Sequence, residues 1–248
     1  MSSQDTKRHR PESTDAPQLR CHDATGRLFV AVGGAVAAAK AGTIAVSCRP
    51  VVAMCSATGD GVWVVTATSA VLRLRVGQRE GALVVALRTA LPASLGAVRD
   101  CDWDPDRRVL LLATSDGAQA FDPDTALSRP CGPPAAVDLR CIRCSVAAGA
   151  VACVADDAVS VFDARTNERA AEVPFCEAGS VDDIRWVGTT LVALCTTPAL
   201  CLRAWRHGGA DVTTLARDVE AALGVHLDAA AVTTPRDWWL QADGSDRV

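Results

Sequence analysis

The sequence predicts an all-β protein built from repeated four-stranded units, and two observations support this fold class. Three segments align with one another, and each contains two short apolar strands; they are residues 109–122, 150–163 and 191–205. Aromatic residues near their ends recur at an almost constant spacing, 41 residues from Phe121 to Phe162 and 43 from Phe162 to Trp205. A period of this length is typical of a propeller blade. Residues 19–241 hold about five to six such periods, so we expect a β-propeller of five to six blades.

Composition fits a globular protein and limits the classes of function. Hydrophobic residues make up 49% of the 248-residue chain and charged residues 22%, as in ordinary globular domains. The net charge of −4 provides no basic stripe, so we expect no direct nucleic-acid binding. No apolar run is long enough for a membrane span, and the N-terminus has no apolar signal core.

The eleven cysteines do not form a recognisable disulfide set. They are odd in number and scattered, and several lie in apolar strand-like runs, as do Cys55, Cys153, Cys195 and Cys201. A free cysteine behaves as a small buried apolar residue. This usage favours a reducing compartment, the cytoplasm or the nucleus.

The chain divides into a tail and one domain. Residues 1–17 are polar and lack periodicity, so we expect a disordered tail, followed by a propeller domain over residues 18–248. The basic run 7–10 is either a nuclear-import signal or a solvated part of this tail.

The first two units consist of short apolar runs broken by turns. Strands are predicted at 28–32, 35–39 and 43–46, and then at 51–55, 62–65, 71–75 and 82–87. In the run 71–75, leucines alternate with Arg73 and Arg75, which predicts a half-buried strand with both arginines in solvent.

Units three to five share one plan. Two of them begin with an acidic strand that ends at a tryptophan, Trp103 or Trp186. Wholly apolar strands follow at 109–113, 150–154 and 191–195, and we expect them to be buried on both faces between neighbouring blades. The more polar fourth strands, such as 168–173, suit an exposed outer edge.

The C-terminal part is predicted to contain one short helix and two more strands. Residues 211–224 carry Leu215, Val219 and Leu223 at a spacing of four, and a glycine follows, which favours a helix on the propeller rim. Strands at 229–233 and 238–241 could share a blade with the strands at 19–21 and 28–32, so that Trp238 and Trp239 pack on the first blade. Alternatively the disc is open and a partner protein supplies the missing blade, which makes both tryptophans candidate interaction residues.

These units resemble the WD-repeat (tryptophan–aspartate repeat) β-propeller family, well over residues 97–210 and poorly over 19–96. Asp116 and Asp157 each lie five residues before a Phe-Asp dipeptide, as the family pattern requires. The fifth unit departs from the pattern, since Leu200 replaces the aspartate and Arg206 follows Trp205. The Gly-His dipeptide of the family is missing from every unit, which implies that its buried His–Asp network is absent.

The resemblance implies a non-catalytic scaffold or adaptor that binds other proteins in a complex. Phe162, Asp163 and Arg165 belong to a segment similar to the aromatic-Asp-x-Arg box through which some WD-repeat proteins dock the adaptor of cullin-4 ubiquitin ligases. The arginine fork would recognise a carboxylate. The alternatives are that Asp163 only stabilises a turn, or that the protein is an enzyme using its central channel.

The sequence predicts no catalytic residues, no cofactor and no metal. Cys141 and Cys144 form the one CxxC motif, but a zinc site needs a second pair, and an offset of three places the two thiols on opposite faces of a strand. The four histidines form no ligand pattern. The alternating aspartates at 100–106 suggest a solvated strand-to-turn segment, with a bound cation as the alternative.

Overall fold

A computed structural model describes residues 18–39, 41–46, 49–77, 82–132, 137–155, 158–175, 181–195 and 201–216. Within these residues the chain forms twenty β-strands and no helix. The strands lie in five sheets of four, and every pairing is antiparallel between strands that follow each other in the chain. The predicted all-β propeller is therefore confirmed, with five blades in the described part of the chain.

The strand bounds, sheet by sheet, are as follows. The first sheet contains β1 (Gln18–His22), β2 (Leu28–Val32), β3 (Ala35–Ala38) and β4 (Gly42–Ala45). The second contains β5 (Val51–Ser56), β6 (Gly61–Thr66), β7 (Ala70–Val76) and β8 (Leu83–Ala90). The third contains β9 (Val98–Asp104), β10 (Val109–Thr114), β11 (Gly117–Asp122) and β12 (Leu127–Pro130). The fourth contains β13 (Leu139–Ser145), β14 (Ala150–Ala155), β15 (Ala158–Asp163) and β16 (Arg169–Val173). The fifth contains β17 (Val181–Val187), β18 (Thr190–Cys195), β19 (Cys201–Arg206) and β20 (Val212–Ala216).

The first strand of each sheet lies innermost. β1 contacts β5, β5 contacts β9, β9 contacts β13, and β13 contacts β17, so the five first strands follow one another around a central channel. The fourth strand is the outer edge of each sheet. Because the strands alternate in direction, the turns from first to second strand and from third to fourth strand lie at the same end of every sheet. We call this end of the disc the lower face.

The core consists of apolar clusters between successive sheets. Leu110 and Leu112 pack with residues of the second sheet, whereas Leu111, on the opposite face of β10, packs with residues of the fourth. All six residues of β10 are buried, and β14 is buried except at its last residue. The predicted burial of the apolar second strands on both faces is therefore confirmed, and it explains why they show no alternation.

The strand β7 has the predicted alternation of faces, but the prediction that both of its arginines lie in solvent is wrong for Arg73. Leu72 and Leu74 are buried in the cluster between the first and second sheets, while Arg75 is exposed and Arg73 is half-buried on the opposite face. That opposite face is directed towards the third sheet.

The predicted rim helix is wrong where the structure describes it. Val212–Ala216 forms β20, in which Val212 pairs with Trp205 and Thr213 pairs with Ala204. Three consecutive β-branched residues, Val212 to Thr214, favour a strand, and pairing with β19 satisfies backbone groups that a helix would leave unpaired at the sheet edge. Residues 217–224 lie outside the described residues.

The first blade is built from its own consecutive strands. β1 and β2 pair with each other and continue into β3 and β4, so the N-terminal strands complete a four-stranded sheet without the C-terminal runs. The idea that they share a mixed blade with 229–233 and 238–241 therefore does not hold for the N-terminal strands. Those C-terminal runs, the tail 1–17, Trp238 and Trp239 lie outside the described residues.

Candidate functional site

The aromatic-Asp-x-Arg segment lies at the end of β15 and in the turn after it, on the lower face. Phe162 is buried, and Asp163 is the last residue of β15. The Asp163 Oδ1 atom accepts the backbone N–H groups of Thr166 at 2.7 Å and of Arg165 at 2.9 Å. These hydrogen bonds, that of Thr166 first, lower the pKa of Asp163. The turn is therefore fixed by a carboxylate that stays ionised, and the Arg165 side chain is exposed at its tip.

Arg165 borders a cleft of about 580 Å³ between the third and fourth sheets. Arg107 lines this cleft and ties the sheets together: its Nε atom donates to Asp104 Oδ2 at 2.5 Å, and its Nη1 atom donates to the carbonyl oxygen of Ala164. Arg129 also lines the cleft and is exposed. Arg165 thus projects from a turn that is attached to two blades.

The central channel contains a polar cluster that the sequence analysis did not assemble. A cavity of about 210 Å³ is lined by residues of all five first strands, among them Arg20, Cys55, Asp102, Arg143 and Arg185. The signal was present in the sequence: Asp102, Arg143 and Arg185 are 41 and 42 residues apart, close to the blade period. Residues at one blade period occupy equivalent places on successive inner strands, so the period places these three in one layer.

Buried charges join three of the inner strands. Arg143 on β13 donates from Nη1 to Asp100 Oδ2 on β9 and from Nη2 to Asp183 Oδ1 on β17, the latter at 3.2 Å. Burial alone would lower the pKa of Arg143, but the nearby negative charges, that of Asp100 foremost, raise it well above its ordinary value. The guanidinium is thus a permanent charge held between two buried carboxylates.

The aspartates at 100–106 are not a uniformly solvated segment. Asp100 and Asp104 are buried, and Asp102 Oδ2 accepts the N–H of Cys144 at 2.8 Å. Asp100 Oδ2 also accepts the N–H of Ile142 at 3.2 Å. Both carboxylates therefore accept backbone N–H groups of the next blade. Burial raises the pKa of Asp102, although Arg143 and the N–H of Cys144 oppose this shift.

The cysteines near the channel are poor nucleophiles. Burial raises the pKa of Cys21 to about 12, and burial together with a side-chain hydrogen bond to Cys101 raises the pKa of Cys55 well above its ordinary value. A thiol reacts as its thiolate, and these environments disfavour the thiolate. Both thiols are therefore held in their protonated form.

The CxxC pair has the predicted geometry. Cys141 packs in the cluster between the fourth and fifth sheets, while Cys144 packs against the cluster between the third and fourth. The two side chains thus point to opposite faces of β13. Among the described residues, no three potential metal ligands come together. His22 ends β1 and lines the channel, and His207, in the turn after β19, packs edge-on against Trp186 and Trp205.

Comparisons with known proteins show the fold. No protein-family model matches the chain, and no curated protein matches it in sequence. Solved structures do match. The β-propeller domain of Cps50 (Swd1) from Myceliophteria thermophila has a TM-score of 0.61 at 13% identity, covering 80% of this chain and 72% of that one. A chain of the Mitotic Checkpoint Complex gives 0.59 at 14%, covering 79% and 64%.

A third match is the extracellular domain of BT4673 from B. thetaiotaomicron, with a TM-score of 0.59 at 10% identity, covering 80% of this chain and 29% of that one. The chain thus spans less than two thirds of two of these three structures. In the described part of the chain, no helix is long and apolar enough to cross a membrane. The five sheets and these likenesses identify a β-propeller fold.

Proposed function

We propose that this chain is a non-catalytic scaffold or adaptor, a divergent WD-repeat-like propeller that binds other proteins in a multiprotein complex. The observation that carries the proposal is Arg165, an exposed guanidinium on a turn held by Asp163 and by Arg107 of the preceding blade. The likeness to a chain of the Mitotic Checkpoint Complex, a multiprotein assembly, supports it.

The geometry favours recognition of a carboxylate on a partner surface. A guanidinium presents a planar fork of N–H donors that matches a carboxylate. Because the turn is already fixed, binding orders little more than the Arg165 side chain, which keeps the entropic cost of association low. The nearby Arg129 adds a second exposed positive charge at the same cleft.

A second candidate function is that of a substrate receptor which docks the adaptor of a cullin-4 ubiquitin ligase. The position of Arg165 supports it, since the arginine of the aromatic-Asp-x-Arg box is exposed while Phe162 is buried and Asp163 fixes the turn. The chemistry of Arg165 is the same in both functions, and only the identity of the partner differs.

The test compares proteins that co-purify with the tagged full-length chain and its variants. We expect Arg165→Ala to reduce at least one co-purified protein by roughly tenfold, because a central arginine contact is commonly worth more than a tenfold change in affinity. Arg169→Ala is the matched control, since Arg169 is also exposed and pairs only locally, with Glu172. Recovery of the same proteins with all three chains would refute a role for Arg165.

The partner's identity separates the two candidate functions. Direct binding of the purified cullin-4 adaptor, lost in Arg165→Ala, would assign the receptor function. Unaffected or absent binding of that adaptor, together with an Arg165-dependent partner of another kind, would leave the general scaffold.

We also propose that the protein is not an enzyme and that it resides in the cytoplasm or nucleus. No disulfide joins two of the nine described cysteines, which supports a reducing compartment. The raised pKa values of Cys21 and Cys55 argue against a cysteine nucleophile in the channel. Native mass spectrometry checks the enzyme alternative, because a small molecule retained in the channel of the purified protein would favour it.

A further inference from the structure

The lower face carries a second cleft, between the second and third sheets, that none of the functions above uses. It has a volume of about 500 Å³ and lies beside the turns that contain Thr58, Pro105 and Pro123. This size falls in the range of pockets that take small ligands or a few side chains of a peptide.

Two tryptophans form its apolar wall. The rings of Trp63 on β6 and Trp103 on β9 lie 5.1 Å apart at 32°. Trp103 donates from Nε1 to Thr58 Oγ1 at 2.7 Å, which fixes its indole across the boundary between the two blades. Trp63 is only 3% exposed, and its Nε1 atom has no hydrogen-bond acceptor among the described residues. The wall is therefore rigid, aromatic and supplied with a buried donor.

Arginines supply the polar side of the cleft. Arg73 pairs with Trp63 across the strands, with its guanidinium carbon 5.9 Å from the indole centroid. Its Nη2 atom donates to the carbonyl oxygen of Thr58 at 2.9 Å, while its Nε atom is buried and has no acceptor in the part of the chain that the structure describes. Arg75 and Arg108 line the same cleft and are exposed.

The balance of charge in the cleft is positive. Of the described residues, three arginines line it, against one carboxylate, that of Asp124, which pairs with Arg108 at 3.2 Å where both side chains are largely exposed. An exposed ion pair of this kind is weak, so another anion can replace Asp124 at the Arg108 guanidinium. The cleft therefore combines donors without acceptors, excess positive charge and an aromatic wall.

We propose that this cleft, which we call the Trp–Arg cleft, binds a peptide segment of a partner protein that carries an anionic side chain next to an aliphatic or aromatic one. The anionic group, a carboxylate or a phosphate, accepts hydrogen bonds from Arg75 and Arg108, and the apolar neighbour packs on Trp103. The proposal rests on the scaffold function and adds to it the class of ligand and the place where it binds.

The test selects random peptides of about twelve residues, displayed on phage, against the immobilised full-length chain. We expect the enriched peptides to share Asp or Glu beside an aliphatic or aromatic residue. Synthetic copies, measured by fluorescence anisotropy, should bind roughly tenfold more weakly to Arg75→Glu/Arg108→Glu and should weaken as salt rises.

The control reverses two charges elsewhere. Arg99 and Arg206 are exposed and lie outside both the Trp–Arg cleft and the cleft beside Arg165, and Arg99→Glu/Arg206→Glu changes the net charge by the same amount. Both double variants replace exposed side chains, so both should fold, and circular dichroism checks this. Binding that falls equally in both, selection of neutral peptides only, or no enrichment over the bare support would each overturn the proposal.

Two further peptides identify the source of the negative charge. Replacing the selected acidic residue by Gln should abolish binding. Replacing it by phosphoserine should either tighten binding, which assigns a phosphorylated partner, or weaken it, which assigns a carboxylate. Arg165→Ala should leave peptide binding unchanged, so a failure of the Trp–Arg cleft remains distinct from a failure of the Arg165 site.

Discussion

Replacing Arg143 by methionine should strongly destabilise the propeller. The substitution keeps most of the side-chain volume but removes the charge that lies between Asp100 and Asp183, whose side chains are 2% and 0% exposed. Removing one member of a buried ion pair generally lowers the free energy of unfolding by about 3–5 kcal/mol, because the other member remains charged and unpaired in the protein interior. A domain has a total stability of about 5–15 kcal/mol, so this loss is a large fraction of it. Urea unfolding followed by tryptophan fluorescence should show a midpoint lower by about 1 M or more.

Two comparisons make this prediction specific to the buried charges. Arg99→Met removes an arginine whose side chain is 51% exposed and pairs with a similarly exposed Asp138, and it should cost less than about 1 kcal/mol. Adding Asp100→Asn and Asp183→Asn to Arg143→Met removes the unpaired charges and should restore part of the lost stability. A loss below about 1 kcal/mol for Arg143→Met, or no recovery in the triple variant, would refute the role assigned to this network.

Three further predictions concern the core, the channel and the C-terminus. Leu111→Asp and Val154→Asp should prevent soluble folding, since each buries an unpaired carboxylate between blades. Arg75→Asp replaces an exposed side chain and should stay soluble. Equal solubility of the three variants would contradict the assigned strand faces. Burial raises the pKa of Asp102, so the folded state binds a proton at this carboxyl more tightly than the unfolded state does. The resulting contribution to stability is complete below the unfolded pKa of about 3.9 and is lost as pH rises through the folded pKa. Asp102→Asn should therefore gain stability relative to the wild type as pH rises from about 4 to 7 in denaturation series, and a constant difference would be evidence against this linkage. Truncation after Pro235 should lower stability by several kcal/mol and cause aggregation if the C-terminal segment covers the first blade. Unchanged stability with loss of a partner protein would instead place Trp238 and Trp239 in an interface. No change in stability or in partner binding would contradict both roles for these tryptophans.

The fold could be predicted from the sequence because two kinds of pattern agreed. The apolar strands β10, β14 and β18 required burial on both faces, which a stack of blades provides. The period from Phe121 to Trp205 then gave the size of the repeat. Both signals are local or nearly local, so they do not depend on knowing which strands are neighbours in space.

The errors arose where spatial neighbours decide the outcome. Leucine and valine at a spacing of four favour a helix over 211–224, but the unpaired edge of β19 binds Val212–Ala216 as a strand. Likewise, Asp100 and Asp104 have the polarity of a surface segment, yet hydrogen bonds to other residues hold them in the interior. Tertiary partners outweighed local propensity in both cases.

The candidate sites were predicted in part. Asp163 and Arg165 were identified from a short motif, and the structure places Arg165 in solvent and Asp163 in the turn. The channel layer of Asp102, Arg143 and Arg185 was not predicted, because the blade period is most evident in aromatic residues near the ends of the third strands and the polar residues of the first strands share no motif. The Trp–Arg cleft brings together residues of two blades with no shared motif, and no pattern in one repeat could reveal it.

The strictly sequential order of strands has a consequence for synthesis on the ribosome. Each sheet is complete once about forty consecutive residues have left the exit tunnel, and the third sheet, for example, packs against the sheets made just before and just after it. A nascent chain can therefore assemble one blade at a time, and the face of the newest blade stays uncovered until the next sheet is made. A pause in translation after one sheet has left the tunnel would lengthen the exposure of that face, so translation speed between blades should influence the yield of folded protein.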